Sequence, residues 1–186
     1  LLNNKKNLIL SVNGEIYNNQ VHKSNHCMNY DFKTKSDCEI ILALYEKYNI
    51  DFIDMLNGIF AFALFDKEKN QFLIARDHIG IIPFYTGYNE NGTFFVASEL
   101  KALENYCNEI SIFPPGHYMS SKNMKLVKWY KRKWISFSGT NKEKIKTNEL
   151  KECLENAVHR QLMSDVPYGV LLSGGLDSSI IAAIAA

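Results

Sequence analysis

The sequence predicts two folded parts: a layered α+β sandwich and, behind it, the opening of an α/β domain. The first rests on Ile59–Phe65 (IFAFALF), which is apolar on both faces and so must be covered from both sides, inside a sandwich and not in an open sheet. The second rests on Val166–Ser179 (VPYGVLLSGGLDSS). There an apolar run, Val170 to Leu172, stops at Ser173-Gly174-Gly175 and a helical pattern resumes at Ser178, giving strand, glycine turn and helix start. Between the two parts, Lys131–Lys146 carries lysine, serine and glycine with weak periodicity and reads as a linker, which puts the boundary near residue 140.

Length and composition agree with this division. A chain of 186 residues suits one or two domains, and 46% hydrophobic content is ample for a core. The net charge of +1 offers no electrostatic case for nucleic acid or an anionic membrane. No apolar run reaches the length of a transmembrane helix, and the opening Leu1-Leu2-Asn3-Asn4-Lys5-Lys6 lacks the features of a signal peptide. Four cysteines at wide spacing fit a reducing compartment, so the cytosol is the expected location, with Cys38 and Cys153 on helical patterns as core residues. The chain starts at Leu1 without an initiator Met and stops shortly after the glycine turn, so we read it as a fragment.

In order, Leu8–Val12 is a buried strand running into Asn13-Gly14-Glu15, a turn signal that carries an amide, a flexible backbone N–H and a carboxylate within three residues. Asn19 to Lys35 is polar and irregular; His22, His26 and Cys27 lie in it at HxxxHC spacing, short of the four ligands that structural zinc takes. Ser36-Asp37-Cys38-Glu39 is a capping box, and Ile40, Ile41, Leu44, Tyr45 and Tyr48 behind it form one helical face. Asp37 thus sits in a first turn, where the helix dipole favours a carboxylate. A short helix follows at Asp51–Asn57, then Ile59–Phe65, a turn at Asp66–Asn70 and a strand at Gln71–Ala75. Phe84–Tyr88 and Thr93–Ala97 flank an Asn-Gly hairpin signal; Glu99–Tyr106 reads as a short helix, and Phe113-Pro114-Pro115-Gly116 as a bend into two short strands ending near Trp129. Thr147–Met163 is an amphipathic helix.

The glycine turn carries the chemistry of the second part. A helix N-terminus offers unpaired N–H groups and partial positive charge, and adjacent glycines admit positive φ and close approach of an anion. Neither GxxxxGK[ST] nor GxGxxG occurs here, and a nucleophile elbow would need glycine where Leu171 stands. What remains, SGGLDSS, looks like the pyrophosphate loop of enzymes that adenylate a carboxyl or carbonyl oxygen, with Asp177 placed to help hold Mg²⁺.

With NGEIYN, SDCE, ARDHIGIIPFY, SELKAL, FPPGHY and VPYGVLLSGGLDSS in this order, the chain resembles the glutamine-hydrolysing asparagine synthetases, thinning only over residues 19–33 and 131–146. The resemblance implies an αββα glutaminase sandwich, residues 1–136, incomplete at its N-terminus. It implies next a linker, 137–148, and then the start of an ATP-binding α/β domain, 149–186, through its first helix, strand, phosphate loop and helix. The implied substrates are glutamine, aspartate and ATP with Mg²⁺, the products being asparagine, glutamate, AMP and pyrophosphate by way of β-aspartyl-AMP. No nucleic acid or membrane partner is implied, and there is room for a homodimer. Carried over, Asn13 and Gly14 match an oxyanion hole, and Glu15 and Asp37 the carboxylates around the α-ammonium of glutamine. Leu172 matches an adenine-side backbone contact, Ser173, Gly174, Gly175, Asp177 and Ser178 the pyrophosphate positions, and Asp177 the Mg²⁺ position.

The departures qualify this reading. The family's nucleophile is an N-terminal cysteine, whereas residue 1 here is Leu and Cys27, Cys38, Cys107 and Cys153 are internal, so the chain alone is expected to hydrolyse no glutamine. The family's carboxylate-clamping arginine has no match; Arg76 is expected to form a structural ion pair with Asp77. Two alternatives stand beside the synthetase. A β-lactam synthetase shares the architecture, but its glutaminase-like domain is usually degenerate, which the set Asn13, Gly14, Glu15 and Asp37 argues against. The other alternative is a catalytically dead binding protein, which the missing cysteine favours.

Overall fold

The computed structural model describes residues 1–132, 134 and 146–186, in two compact units, Leu1–Arg132 and Lys133–Ala186. Among the described residues of the first unit, eight strands form two antiparallel sheets. One has the order β1 (Leu8–Ile16), β2 (Gly58–Asp66), β3 (Gln71–Arg76), β7 (His117–Ser120), β8 (Leu126–Lys128). The other has the order β5 (Phe94–Ala97), β4 (Tyr85–Tyr88), β6 (Glu109–Ile112).

The doubly apolar strand does what its sequence requires. Phe60, Phe62 and Leu64 of β2 point into a core shared with α2 (Ile40–Tyr48), including Ile40, Ile41 and Leu44. Ala61 and Ala63, on the other face, join Ile74, Phe84, Phe113, Phe94 and Val96 between the two sheets, where the Phe72 and Phe94 rings stack at 5.4 Å. The described residues therefore supply a helix layer and two sheets, an α+β arrangement.

Several elements differ from expectation. Asn13-Gly14-Glu15 is not a turn: the three residues lie inside β1, paired with Ala61, Phe60 and Ile59. Continuous register with a buried strand outweighs the local turn preference of Asn-Gly. The stretch after residue 19 is not wholly irregular; α1 (Asn19–Asn25) forms there, held by Asn19 Nδ2 donating to the Ile16 carbonyl (2.8 Å) and by His22 Nε2, 3.0 Å from the Met55 carbonyl. His26 turns instead to the Tyr48 hydroxyl (2.8 Å). The capping box is half made. Ser36 accepts from Cys38 N–H at 3.3 Å, but the buried Glu39 carboxylate accepts from the Lys33 and Thr34 N–H groups (both 2.7 Å) and never returns to Ser36. Leu100–Ala102 is only a 3₁₀ turn, and β6 had no expectation at all.

Arg76 and Asp77 do not form the expected ion pair. Neighbouring residues of an extended strand project to opposite faces. Arg76 donates to the carbonyls of Ile82 (2.7 Å), Phe113 (2.7 Å) and Gly80 (2.8 Å), while Asp77 accepts from the N–H groups of Phe60 (3.2 Å), Ile79 (2.9 Å) and Gly80 (2.6 Å).

The second unit comprises α3 (Thr147–Gln161) and α4 (Leu176–Ala185). The linker expected at 137–148 lies outside the described residues up to Lys146, and Thr147 and Asn148 already belong to α3. Val170–Leu172 is not a strand here: no described segment pairs with it, and Leu171 is 94% exposed. A strand exists only through a partner's ladder. The last helix begins at Leu176, two residues before the expected start. No helix among the described residues is long and apolar enough to cross a membrane.

Candidate functional site

Backbone parity along β1 decides which of its groups are free. Phe60, opposite Gly14, spends its carbonyl on Asp77 N–H (2.8 Å) and its N–H on the Asp77 carboxylate, both on the β3 side. Gly14–Phe60 is therefore a non-hydrogen-bonded pair, and the backbone groups of even-numbered β1 residues point away from β2, to the outer edge of the sheet. Their partners along that edge agree. Leu8 N–H donates to Asn3 Oδ1 (3.0 Å), Leu10 exchanges bonds with Leu1 (2.9 and 2.7 Å), and Ile16 N–H donates to Asp37 Oδ2 (2.5 Å). At Gly14 the carbonyl is taken by the Cys38 thiol, which donates across 3.3 Å. The Gly14 N–H faces the open edge.

This arrangement brings together the residues singled out in the first part. Asn13 and Glu15 share one face of β1, opposite the helix layer, and both are exposed. The half-buried Asp37 reaches the same edge from the turn preceding α2, and its bond to Ile16 N–H occupies Oδ2 and leaves Oδ1 for another donor. Tyr17, missed in the sequence, belongs to this neighbourhood: burial first, then the carboxylates of Glu15, Asp77 and Asp37, push its hydroxyl pKa above the ordinary value. Its position two residues past Glu15 was the available signal, hidden while Asn13-Gly14-Glu15 read as a turn. Cys38 is buried, and desolvation, followed by the Asp37 and Glu15 carboxylates, pushes its pKa up to about 12. A thiol so protonated is a hydrogen-bond donor and no nucleophile. Burial likewise raises Cys27.

The edge thus presents one strand N–H, one side-chain amide and two carboxylates. An N–H and an amide can stabilise a developing oxyanion, and two carboxylates suit an ammonium.

In the second unit, Leu172, Ser173, Gly174, Gly175 and Asp177 are exposed and Ser178 half-buried. Gly174 adopts φ 82°, a conformation that favours glycine, while the space around its absent Cβ is open. Ser173 and Ser178 hydroxyls meet at 2.9 Å, and Ser178 and Ser179 both donate to the Gly175 carbonyl (3.0 and 2.8 Å). The first-turn N–H groups of α4 lack intrahelical acceptors by construction. Asp177 stands in that turn, with no cluster of three or more metal-binding side chains among the described residues.

Comparison with known proteins assigns residues 1–125 to the glutamine amidotransferase domain family and residues 149–186 to the asparagine synthase family. The chain is 52% identical over 184 residues to asparagine synthetase B (glutamine-hydrolysing) of Escherichia coli K12, covering 99% of this chain and 33% of that protein. It is 48% identical over 190 residues to a probable glutamine-hydrolysing asparagine synthetase of Dictyostelium discoideum, covering 99% and 34%. The chain therefore spans about a third of the length of the curated relatives it matches. Among solved structures, a glutamine phosphoribosylpyrophosphate amidotransferase from B. subtilis matches with TM-score 0.58 at 21% identity, over 96% of this chain and 44% of that one. An allosteric regulatory enzyme of purine biosynthesis matches with TM-score 0.61 at 21% identity, over 100% and 45%. These two likenesses concern the fold.

Proposed function

The chain belongs to the glutamine amidotransferase domain family, and from that premise we propose that it supplies the glutamine-binding part and the start of the ATP-binding part of a cytosolic, glutamine-hydrolysing asparagine synthetase. The observation that carries the reading is the edge of β1, where the Gly14 N–H is open and Asp37 is anchored two residues along at Ile16.

Glutamine enters with its α-ammonium between Glu15 and the free Oδ1 of Asp37. Its side-chain carbonyl lies toward Asn13 Nδ2 and the Gly14 N–H. Attack by a thiolate puts negative charge on that oxygen, and the two donors stabilise it where it forms; losing one such donor typically costs ~3 kcal/mol of barrier. Collapse expels ammonia, leaving a thioester that water converts to glutamate. Cys27 and Cys38 are excluded as the attacking thiol by burial and raised pKa, Cys107 lies against Gly87 in the other sheet and Cys153 belongs to α3 of the second unit, so we assign the attack to none of the four cysteines of this chain.

The complete glutaminase is proposed to be the four-layer αββα sandwich, ending near residue 136 and joined to the ATP-binding domain by a linker that stops before α3 at Thr147. There the Ser173–Ser178 loop takes the pyrophosphate of ATP on backbone N–H groups and on hydroxyls released from the Gly175 carbonyl, with Leu172 beside adenine. The carboxylate of aspartate attacks the α-phosphorus, giving β-aspartyl-AMP and pyrophosphate, and ammonia displaces AMP. Asp177 fits Mg²⁺ in the manner usual for that ion, one carboxylate with substrate phosphates and water completing the shell. Asp177 would hold the ion, which if bound would supply charge neutralisation for the pyrophosphate.

The test uses the full-length protein. Glutamine-dependent formation of asparagine and AMP in equal amounts is expected, and AMP release that does not require aspartate refutes the synthetase reading. Asn13→Ala should lower glutaminase kcat about 100-fold. Asp37→Asn should raise KM for glutamine tenfold or more, and both variants should keep ammonia-dependent synthesis. Loss of ammonia-dependent synthesis in step with glutaminase would count against these roles.

A further inference from the structure

On the outer edge of β1 beside the site, the Ile16 N–H is held by a carboxylate and the Gly14 carbonyl by a thiol. Cys38 is 3% exposed, its Sγ lies 3.3 Å from the Gly14 carbonyl, and it is also 3.7 Å from Asp37 Oδ2. The Gly14 carbonyl belongs to the peptide joining Gly14 to Glu15. Gly14 itself sits at φ 141°, where a residue without Cβ has the least intrinsic resistance to rotation. On its inner side this peptide is held by the pairing of Glu15 with Ile59; on its outer side the thiol is the partner.

We propose that Cys38 is a positioning residue for the glutaminase centre: its S–H bond to the Gly14 carbonyl restrains rotation about the Gly14 Cα, and through that atom the aim of the Gly14 N–H, carried by the adjoining Asn13–Gly14 peptide, at the oxyanion. The proposal rests on the functional reading above. Other groups could not do this work as steadily. A lysine or arginine there would compete with the substrate ammonium for Asp37 and Glu15, and an aliphatic side chain would leave a carbonyl unpaired. A neutral donor satisfies the carbonyl without adding charge, and burial keeps the thiol protonated across the working pH range.

Because the Gly14 N–H acts on the transition state, removal of the thiol should appear in kcat more than in KM. In the full-length protein, Cys38→Ala is expected to lower glutaminase kcat about 3- to 10-fold, the worth of one neutral hydrogen bond, with KM for glutamine within about twofold. Cys38→Ser, which keeps a donor, should recover most of the rate, and ammonia-dependent synthesis should stay at the wild-type level in both. Unchanged kcat in Cys38→Ala overturns the proposal, as does a loss confined to KM, which would mean that the thiol acts through Asp37 alone. Equal impairment of Ala and Ser variants with lowered thermal stability also overturns it, since packing would then explain the effect. The infrared difference between wild type and Cys38→Ser tests the geometry without activity. An S–H band at the frequency of a hydrogen-bonded thiol is expected, and a free-thiol frequency refutes the bond. If the wild-type protein hydrolyses no glutamine while that band is found, the functional reading has failed and the structural contact has not.

Discussion

Gly14→Ala tests the claim that Asn13-Gly14-Glu15 is strand and not turn. Gly14 has φ 141°, and a Cβ there would lie 2.0 Å from the Ile59 carbonyl oxygen, 2.7 Å from Phe60 Cα and 2.9 Å from the Ile59 carbonyl carbon. All three obstacles are backbone of β2, which cannot swing aside as a side chain can. Two costs add: about 1–2 kcal/mol for an L-residue at positive φ, and about 1–3 kcal/mol for forcing apart a packed pair of strands. A loss of about 3 kcal/mol is expected, a large part of a domain's usual stability of about 5–15 kcal/mol. Gly58→Ala is the internal control: its Cβ would meet the Glu15 carbonyl oxygen at 2.1 Å across the same ladder, and Gly58 has no positive φ. It should suffer the packing cost alone and be about 1–2 kcal/mol less destabilised. Urea denaturation followed by tryptophan fluorescence suits both, because Trp129 stacks on Phe60, the cross-strand partner of Gly14 (centroids 6.1 Å). Wild-type stability in Gly14→Ala would refute the register, and equal losses in the two variants would refute the φ argument.

Arg76→Met should destabilise the first unit by about 3 kcal/mol or more, since it strands three carbonyls now served by one guanidinium; denaturant midpoints check this. Alkaline stability should decline from about pH 9. The Cys38 thiol ionises near 9.0 when unfolded and near 12 when folded, so the unfolded state loses its proton first and stability drops by about 1.4 kcal/mol per pH unit between those values. Tyr17, Tyr30, Tyr45 and Cys27, all raised mainly by burial, act in the same direction, and Cys38→Ser should flatten the profile by one group's share. His22 works oppositely: burial lowers its pKa, so its contribution is present above about 6.5 and lost as the pH falls below it, measurable as an acid-side decline that His22→Gln removes.

What could be read from the sequence was whatever a short window determines. The doubly apolar β2, the β4–β5 hairpin and the helix behind Asp37 are periodic and local, and they stand where expected. What could not be read depends on distant partners. α1 is built from Asn, Gln, His, Lys and Ser with one Val, weak helix formers on the whole, and exists because Asn19 and His22 find acceptors at Ile16 and Met55. Val170–Leu172 has the composition of a strand and no described partner, so composition alone misleads. Arg76 and Asp77 are adjacent in the chain and pair not with each other but with the same 79–82 loop, Arg76 through the loop's carbonyls and Asp77 through the loop's N–H groups. Of the proposed site, residue identities were legible from the motifs, while the reason they converge was not.

That reason lies in the treatment of one exposed edge. An edge strand is a liability, a row of unpaired groups that invites another chain, and proteins ordinarily cover it. Along β1 the covering proceeds through Asn3 at Leu8, Leu1 at Leu10, Cys38 at the Gly14 carbonyl, and Asp37 and Asn19 at Ile16. The caps on the Gly14 carbonyl and the Ile16 N–H come from the single turn Ser36–Glu39, so the helix start that the sequence marks with an acid for its own stability also closes the strand beside the site. The Gly14 N–H faces outward just ahead of those caps, on the stretch of edge it shares with Val12. A donor held this way is pre-aimed by β-ladder geometry and needs no reorganisation when negative charge forms in front of it, which is what an oxyanion-stabilising group requires.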